Sequence, residues 1–326
     1  MPSPMPADKR KVVLITGCSS GIGRALALEF GRASSLKPSL RAKGAPGEAS
    51  YRVFACARKL EALRELPPEI ERVRIDVCDD ASVQAAVKTV IDEAGHIDVL
   101  INNAGVNTAV GPSSEVPLEK FHSTFDANFF GLIRVTQAVL AHMTPRRSGT
   151  IVNIGSTAAY ANIPFGSAYC ASKAAVHSFS DALRSEVAPL GIRVLVVAPG
   201  AIKSSFGDNS TGNLVLPAKG SAYDNDAARA IIRYRAVYSQ TGRNTPAETT
   251  ARVIRREVDK SYVRTHHSLL ARLLVVPWLL SLVFGGPRAY LTTGARSPLA
   301  LLLFYLPTSL RDRAVAMYFS LDKLRQ

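Results

Sequence analysis

Short runs of apolar residues alternate along the chain with longer segments of helical periodicity. The runs predict strands at residues 11–16, 51–57, 72–76, 97–102, 150–155 and 192–198. Their apolar character is continuous rather than alternating, which is typical of strands that are buried on both faces of a parallel sheet. Strands of this kind separated by helices predict β-α-β units and an α/β fold. The pattern shows no evident seventh strand.

The chain has 326 residues, enough for one large α/β domain with additional segments. We predict a loose N-terminal tail at residues 1–10, a main domain at 11–265 and a C-terminal extension at 266–326. Residues 33–50 are rich in Ser, Gly, Pro, Lys and Arg and contain few apolar anchors. This composition predicts an exposed insert between the first helix and the second strand.

The C-terminal extension combines apolar runs with positive charge. Residues 268–284 are interrupted by Arg272 and Pro277, and residues 299–306 are fewer than the roughly 20 that a membrane-spanning helix needs. Residues 252–326 carry a net charge of +8, out of +14 for the chain. This pattern favours peripheral contact with an anionic membrane surface. The alternative is that the segments pack on the main domain or form a homo-oligomer surface. No nucleic-acid-binding motif is present, so we expect no nucleic-acid partner.

The spacing of the cysteines indicates the redox state of the cellular compartment. Cys18, Cys56, Cys78 and Cys170 have neither disulfide-like nor zinc-like spacing, which indicates a reducing compartment and no metal site. The first six residues lack the apolar segment of a signal peptide. We therefore expect a protein of the cytoplasm, or of the cytoplasmic face of the endoplasmic reticulum or a lipid droplet, and not a secreted one. Cys18 and Cys170 lie within the motifs described next, which predicts inhibition by thiol modifiers.

A glycine-rich turn follows the first predicted strand and precedes the first helix. It consists of Thr16, Gly17, Cys18, Ser19, Ser20, Gly21, Ile22 and Gly23. Glycines allow a tight turn and close approach of the backbone to a ligand, and the helix N-terminus then faces a pyrophosphate. The spacing Gly-x-x-x-Gly-x-Gly differs from the usual dinucleotide fingerprint. In this strand–turn–helix context, the turn predicts a dinucleotide-binding site.

Tyr169 and Lys173 stand four residues apart, so a helix would place them on one face. A nearby ammonium favours the phenolate, which would lower the pKa of the tyrosine from its usual value near 10. Such a pair can move a proton to or from an alcohol oxygen. Two other polar groups, Asn102-Asn103 and Ser156, come at strand ends, where ligands bind in open α/β sheets.

Together these motifs resemble the classical short-chain dehydrogenase/reductase family, over about residues 10 to 265. The motifs that carry the resemblance are the Gly17/Gly21/Gly23 turn, Asn102-Asn103-Ala104-Gly105, Asn128, Ser156 and Tyr169 with Lys173, in that order. The resemblance implies a single Rossmann-type, doubly wound parallel sheet, here followed by an apolar helical extension. It also implies nicotinamide-dependent interconversion of an alcohol and a carbonyl group.

The resemblance assigns a role to each catalytic position. Tyr169 would be the general acid in reduction, and Ser156 would hydrogen-bond the carbonyl oxygen. Lys173 would hold the nicotinamide ribose and lower the pKa of Tyr169. Asn128 would hold a water molecule that links Lys173 to solvent.

The resemblance also implies the cofactor contacts. They are Gly17, Ser19, Ser20, Gly21, Ile22, Gly23, Arg58, Asp76, Asn103, Ala104, Gly105, Asn128, Tyr169, Lys173, Pro199, Gly200, Ile202 and Ser204. An enzyme that selects NAD usually has an acidic residue near the end of the second strand. Residues 53–57 contain none, and Arg58 follows them. A guanidinium suits a 2′-phosphate, which predicts a preference for NADP (NADPH) over NAD.

The apolar tail, Ala55–Arg58 and the ending Phe319–Lys323 resemble the fungal acyl-dihydroxyacetone-phosphate reductase branch, with hydroxysteroid and retinol dehydrogenases nearby. This implies a hydrophobic, lipid-, steroid-, terpenoid- or polyketide-like carbonyl substrate. Residues 203–245 would form a lid over that substrate. Two alternatives remain open, namely an alcohol dehydrogenase working in the oxidising direction and a non-catalytic cofactor-binding scaffold.

Overall fold

The computed structural model describes residues 8, 10–35, 50–203, 212–237, 244–260 and 290–293, together with positions 310, 314, 315 and 317. The described strands are β1 (Lys11–Ile15), β2 (Tyr51–Ala57), β3 (Ile70–Arg74), β4 (Val99–Asn102), β5 (Gly149–Ile154), β6 (Ile192–Pro199), β7 (Ile202–Lys203), β8 (Thr245–Pro246) and β9 (Tyr290–Thr293). The helices are α1 (Gly21–Ser35), α2 (Asp80–Ala94), α3 (Leu118–Phe125), α4 (Gly131–Arg146), α5 (Ser167–Val187), α6 (Asp226–Val237) and α7 (Ala247–Asp259).

Seven strands form one parallel sheet in the order β3-β2-β1-β4-β5-β6-β9. The order reverses direction at β1 and β4, so the sheet is doubly wound and Rossmann-type. Strands β7 and β8 form a separate parallel pair. The predicted fold class is therefore confirmed, and each of the six predicted apolar runs forms a strand.

Helices cover both faces of the sheet. On one face, α1 and α7 pack with side chains such as Leu26, Phe30 and Ile254. On the other face, α2, α4 and α5 contribute Val87, Val135 and Leu183. Burying each aliphatic or aromatic side chain of this size stabilises the fold by roughly 1.5–3 kcal/mol. The two layers explain the unbroken apolar character of the strands, since both faces of the sheet are core.

Strand β9 is the seventh strand of the main sheet, for which the sequence pattern gave no evident signal. It pairs with β6 from Val196 to Pro199, and the Gly200 N–H donates a 2.7 Å hydrogen bond to the Thr293 carbonyl. Its sequence, Tyr-Leu-Thr-Thr, has no run of apolar residues. Backbone pairing with β6 and one buried side chain, Leu291, hold the strand, and together they leave little signal in the composition.

Several predicted segments fall partly or wholly outside the described residues. Helix α1 continues to Ser35, so the exposed insert predicted at 33–50 begins later, and residues 36–49 of it lie outside the described part. The substrate segment 203–245 contains a regular helix, α6, while residues 204–211 and 238–243 are not described. Both C-terminal apolar runs also lie outside the described residues. Within the described part of the chain, no helix has the length and apolar character needed to cross a membrane.

Candidate active site

The glycine-rich turn is closely packed against the end of β4. A Cβ atom at Gly23 would lie 2.2 Å from the Gly17 carbonyl oxygen and 2.4 Å from Asn103 Nδ2. Gly17 has a φ of 71°, in the left-handed region that favours glycine. The Asn103 amide donates hydrogen bonds to the carbonyl oxygens of Thr16 (2.9 Å) and Gly17 (3.0 Å). The turn therefore has no room for a side chain at position 23.

Thr16 joins the turn to the next strand end. Its Oγ1 accepts hydrogen bonds from the backbone N–H groups of Asn103 and Ala104, both at 3.0 Å. Ser19 and Ser20 are exposed beside the first turn of α1, where the pyrophosphate of a dinucleotide would bind, and Ile22 is half-buried. The predicted cofactor residues that follow the first and fourth strands are thus brought together. Thr16, which joins them, is not among the predicted cofactor contacts.

The end of β2 presents positive charge. Arg58 and Lys59 are exposed, and Arg74 at the end of β3 donates from Nε to the Arg58 carbonyl oxygen at 3.3 Å. Asp76 follows on the same edge, and its Oδ1 accepts a hydrogen bond from the Cys78 N–H at 3.0 Å. The Arg74 guanidinium therefore lies against the Arg58 backbone, at the edge where the resemblance places the adenosine ribose.

The predicted catalytic residues converge at the end of β5 and the start of α5. The Ser156 side chain hydrogen-bonds to the phenol of half-buried Tyr169. Ser156 is itself fixed, since its Oγ accepts from the Ala158 N–H at 3.1 Å. The Lys173 ammonium lies 5.8 Å from the centre of the Tyr169 ring and donates to the Ile154 carbonyl oxygen at 2.8 Å. The helical spacing thus places Tyr169 and Lys173 on one face, as predicted.

Asn128 occupies a π-helical turn (Asp126–Phe130) between α3 and α4. Its side chain forms two hydrogen bonds with the backbone of Val106, accepting from N at 2.7 Å and donating to O at 2.9 Å. It also donates to Ser172 Oγ at 3.0 Å. A Cβ at Gly105 would lie 3.1 Å from Asn128 Oδ1 and 3.6 Å from Lys173 Nζ. Gly105 therefore leaves the space in which the asparagine and the lysine approach each other.

The pKa of Tyr169 shifts in the direction opposite to the one that the sequence predicts. Burial raises the pKa of Tyr169, and this effect outweighs the opposing effects of the Ser156 hydrogen bond and the positive charge of Arg235. Burial also lowers the pKa of Lys173 to about 8. The lowering of the Tyr169 pKa that the Tyr–Lys spacing predicts is thus not found, because the phenol is surrounded mainly by protein and not by water.

Pro199 and Gly200 lie at the carboxyl end of β6. The Pro199 carbonyl accepts from Thr157 Oγ1 at 3.2 Å, and Gly200 is held by β9 as described above. The Ile202 side chain is buried in the core cluster shared with α7, so any contact of this residue with a cofactor would be made by its backbone. Ser204, the last predicted cofactor residue, lies outside the described residues.

The thiols within the motifs are unsuited to reaction. Cys18 and Cys170 are buried. Burial raises the pKa of Cys18 to about 12 and also raises the pKa of Cys170. Because the thiolate is the reactive form, burial disfavours reaction at these two side chains. The predicted inhibition by thiol modifiers at these positions is therefore not supported.

Two residues near the catalytic group were missed by the sequence analysis. His177 lies one helical turn beyond Lys173 and accepts a hydrogen bond from the Ser156 N–H. Arg235 on α6 is buried, and its Nη2 would be 2.8 Å from a Cβ at Gly166, which precedes α5. The i,i+4 spacing after Lys173 was a usable signal for His177. Arg235 is distant in sequence, so no local pattern could identify it.

Comparison with known proteins gives the same assignment. Residues 11–213 match the family described as short chain dehydrogenase. The chain is 31% identical to retinol dehydrogenase 8 of Bos taurus, over 82% of this chain and 92% of that protein. It is 34% identical to an NADPH-dependent 1-acyldihydroxyacetone phosphate reductase of Schizosaccharomyces pombe, over 64% and 65% of the two chains.

A solved structure shares the architecture as well. The short-chain dehydrogenase of Streptomyces avermitilis superposes with a TM-score of 0.68 at 27% identity, covering 98% of each chain. The family match covers more than half of the chain, and the residues that meet at the ends of β1, β4 and β5 are those that the family resemblance implies. This protein therefore belongs to the short-chain dehydrogenase/reductase family of nicotinamide-dependent oxidoreductases.

Proposed function

We propose that this protein is an NADPH-dependent reductase that acts on a ketone or aldehyde of a hydrophobic substrate. The observation that carries the proposal is the convergence of Ser156, Tyr169, Lys173 and Asn128 beside the glycine-rich turn. The close contact of Gly23 with Gly17 leaves the turn shaped for backbone approach to a phosphate. These residues fit a dinucleotide, and a bound nicotinamide would supply the hydride.

Tyr169 is suited to the acid role in reduction. Its raised pKa keeps the phenol protonated at neutral pH, so its O–H is available to a carbonyl oxygen that gains negative charge. Ser156 Oγ supplies a second hydrogen bond to the same oxygen. Lys173, with a pKa of about 8, remains mostly protonated at pH 7 and lies 5.8 Å from the centre of the Tyr169 ring, so it would help to return a proton towards Tyr169. The oxidising direction would need the phenolate, which burial disfavours.

The proposed preference for NADPH depends on Arg58. Its side chain is exposed at the end of β2, no carboxylate occurs within β2, and Arg74 adds a second positive charge nearby. Guanidinium groups bind phosphate through paired, charge-assisted hydrogen bonds. The relative from Schizosaccharomyces pombe is named as NADPH-dependent, which supports the same choice.

Fluorescence titration with NADPH and NADH tests this choice. We expect wild type to bind NADPH at least tenfold more tightly, a difference of about 1.4 kcal/mol, and Arg58→Ala to remove most of that difference. Arg64→Ala is the matched control, because Arg64 is also exposed but follows the next short helical turn. Tighter binding of NADH by wild type, or no effect of Arg58→Ala, would contradict the assignment and favour an oxidising dehydrogenase.

A hydrophobic substrate is supported by the relatives and by the chain itself. Two relatives are named for lipid-like compounds, retinol and 1-acyldihydroxyacetone phosphate.

The apolar, basic C-terminal extension fits peripheral contact with a membrane surface, at the cytoplasmic face of an intracellular membrane. Flotation with anionic vesicles, with and without residues 294–326, would test the contribution of the part of the extension that follows β9. Binding unchanged by the truncation would exclude these residues as the membrane contact.

Tyr169→Phe separates an enzyme from a cofactor-binding scaffold. The variant keeps the aromatic ring but removes the acidic O–H. We therefore expect the turnover of a carbonyl compound that wild type reduces to fall by about 10²–10⁴-fold or more. NADPH affinity should change little, because every predicted cofactor contact other than the Tyr169 hydroxyl remains. Wild-type protein that binds NADPH but reduces no member of a broad carbonyl panel would favour the scaffold.

A further inference from the structure

Helix α5 brings a third polar side chain against the end of β5. His177 follows Lys173 by one helical turn, as Lys173 follows Tyr169, so the three side chains share one face. The Nε2 atom of His177 accepts a hydrogen bond from the Ser156 backbone N–H at 3.3 Å. The Lys173 ammonium donates a 2.8 Å hydrogen bond to the carbonyl oxygen of Ile154, which precedes Ser156 by two residues. Helix α5 therefore contacts the backbone at two points, on either side of Gly155.

The imidazole of His177 is closely confined. A Cβ at Gly155 would lie 2.0 Å from Nε2 and 2.5 Å from Cδ2, so the ring lies directly against the glycine backbone. On another side, the ring makes an edge contact with Tyr160, with centroids 4.8 Å apart and an interplanar angle of 62°. Tyr160 closes the short helical turn that Ser156 begins. The confined ring therefore keeps Nε2 directed at the Ser156 N–H.

The charge state of His177 suits an acceptor. Burial and the positive charge of Lys173 lower its pKa to about 4, so the imidazole is neutral at pH 7. A neutral imidazole offers one acceptor nitrogen and one N–H donor. Since Nε2 accepts from the Ser156 N–H, the ring proton resides on Nδ1. An imidazolium would have no acceptor nitrogen, and the contact with Ser156 would be lost.

We propose that His177 is a positioning residue that fixes the backbone of Ser156, and thereby the hydroxyl group that would hold the substrate carbonyl. Its catalytic consequence rests on the proposed reductase function. Ser156 Oγ contacts both the Ala158 N–H and the Tyr169 phenol, so a shift of its backbone would disturb two contacts of the catalytic group. Displacement of a reacting group by about 1 Å can reduce the rate about 10²-fold.

Two substitutions separate the hydrogen bond from the packing. His177→Gln keeps an acceptor, whereas His177→Leu keeps most of the volume but has none. We expect the leucine variant to lower kcat about 10- to 100-fold, while the glutamine variant recovers most of that loss. The KM for the carbonyl and the Kd for NADPH should stay within about threefold of wild type. His142→Leu, at an exposed position on α4, is the control. Wild-type kcat in His177→Leu would overturn the proposal.

A double-mutant cycle tests whether His177 acts through Ser156. In a Ser156→Ala background, the Ser156 hydroxyl that would contact the substrate carbonyl is already absent. His177→Leu should therefore reduce kcat by less than about twofold further. Equal fold losses in both backgrounds would show that His177 acts independently of Ser156 and would overturn the proposal.

A readout that needs no turnover distinguishes this proposal from the proposed function. Amide hydrogen exchange of Ser156, followed by NMR, should be faster in His177→Leu than in wild type, and protected in His177→Gln. Unchanged exchange in the leucine variant would overturn the proposal. A wild-type protein that reduces no carbonyl would contradict the proposed function, and the exchange data would still decide whether His177 holds Ser156.

Discussion

The Nζ atom of Lys173 donates a 2.8 Å hydrogen bond to the carbonyl oxygen of Ile154, in a position where the side chain is only 4% exposed. The bond places the positive charge of Lys173 close to Tyr169, the predicted catalytic tyrosine. It also leaves that cation largely removed from water, and burial accordingly lowers its pKa from 10.5 to about 8. Burial of a charge at this position costs stability, while in the proposed reaction the same charge would assist Tyr169.

We predict that Lys173→Met raises the free energy of unfolding by about 1–3 kcal/mol at pH 6.5, because it removes a buried charge. The folded pKa of the lysine is below its unfolded value, so the unfolded chain binds more protons between about pH 8 and pH 10.5. Wild type therefore gains stability as pH rises through that range, and its deficit relative to the variant shrinks.

Urea unfolding of both proteins at pH 6.5 and pH 9.5 measures this effect. Lys88→Met, which removes an exposed lysine on α2, is the control and should show no such pH dependence. A methionine variant less stable than wild type at pH 6.5 would contradict the prediction. Catalytic activity of Lys173→Met should be lost in either case.

Arg235 is predicted to tune the protonation of Tyr169. Its positive charge lowers the pKa of Tyr169 and so opposes burial. Arg235→Met should raise that pKa further. Oxidation of the product alcohol requires the phenolate, so its pH–rate profile should shift to higher pH.

The control for Arg235 is Arg233→Met, an exposed arginine on the same helix. The pH–rate profiles of both variants and of wild type, recorded in the oxidising direction with saturating NADP⁺, give the comparison. A profile of Arg235→Met that coincides with that of the control would show that the charge does not reach the tyrosine.

A buried ion pair attaches α7 to β6. Arg193 donates to the Glu257 carboxylate at 2.9 Å and to the Glu257 carbonyl at 2.9 Å, and both side chains are less than 10% exposed. Glu257→Ala would leave the Arg193 charge buried and uncompensated. We predict a loss of about 3–5 kcal/mol in the free energy of unfolding.

Chemical denaturation of Glu257→Ala measures that loss. Glu248→Ala on the same helix removes an exposed carboxylate and should cost less than about 1 kcal/mol. Similar losses for the two variants would show that the pair with Arg193 contributes no more than a surface charge.

The fold could be predicted from the sequence to the extent that burial leaves a local signal. β1, β2 and β6 are covered by helices on both faces, and each appears as an unbroken apolar run. β9 is held by backbone pairing with β6 and by one buried leucine, Leu291, so its four residues carry no such run. Its position could be found only from the three-dimensional arrangement.

The candidate site follows the same logic. Tyr169 and Lys173 could be predicted because helical periodicity alone places them together. The pKa of Tyr169 could not, because it depends on how completely the surrounding chain excludes water and on Arg235, 66 residues away. The π-helical turn that places Asn128 against Val106 is likewise determined by tertiary contacts.

The pairing of β9 with β6 has a consequence for any shortened form of the protein. A chain that ends before Tyr290 would leave the hydrogen-bonding groups of Val196–Pro199 exposed on an apolar sheet edge. Unpaired edges of this kind recruit strands from other molecules. Proteolysis or truncation between residues 260 and 290 should therefore produce self-association, even though every residue of the predicted catalytic group would still be present.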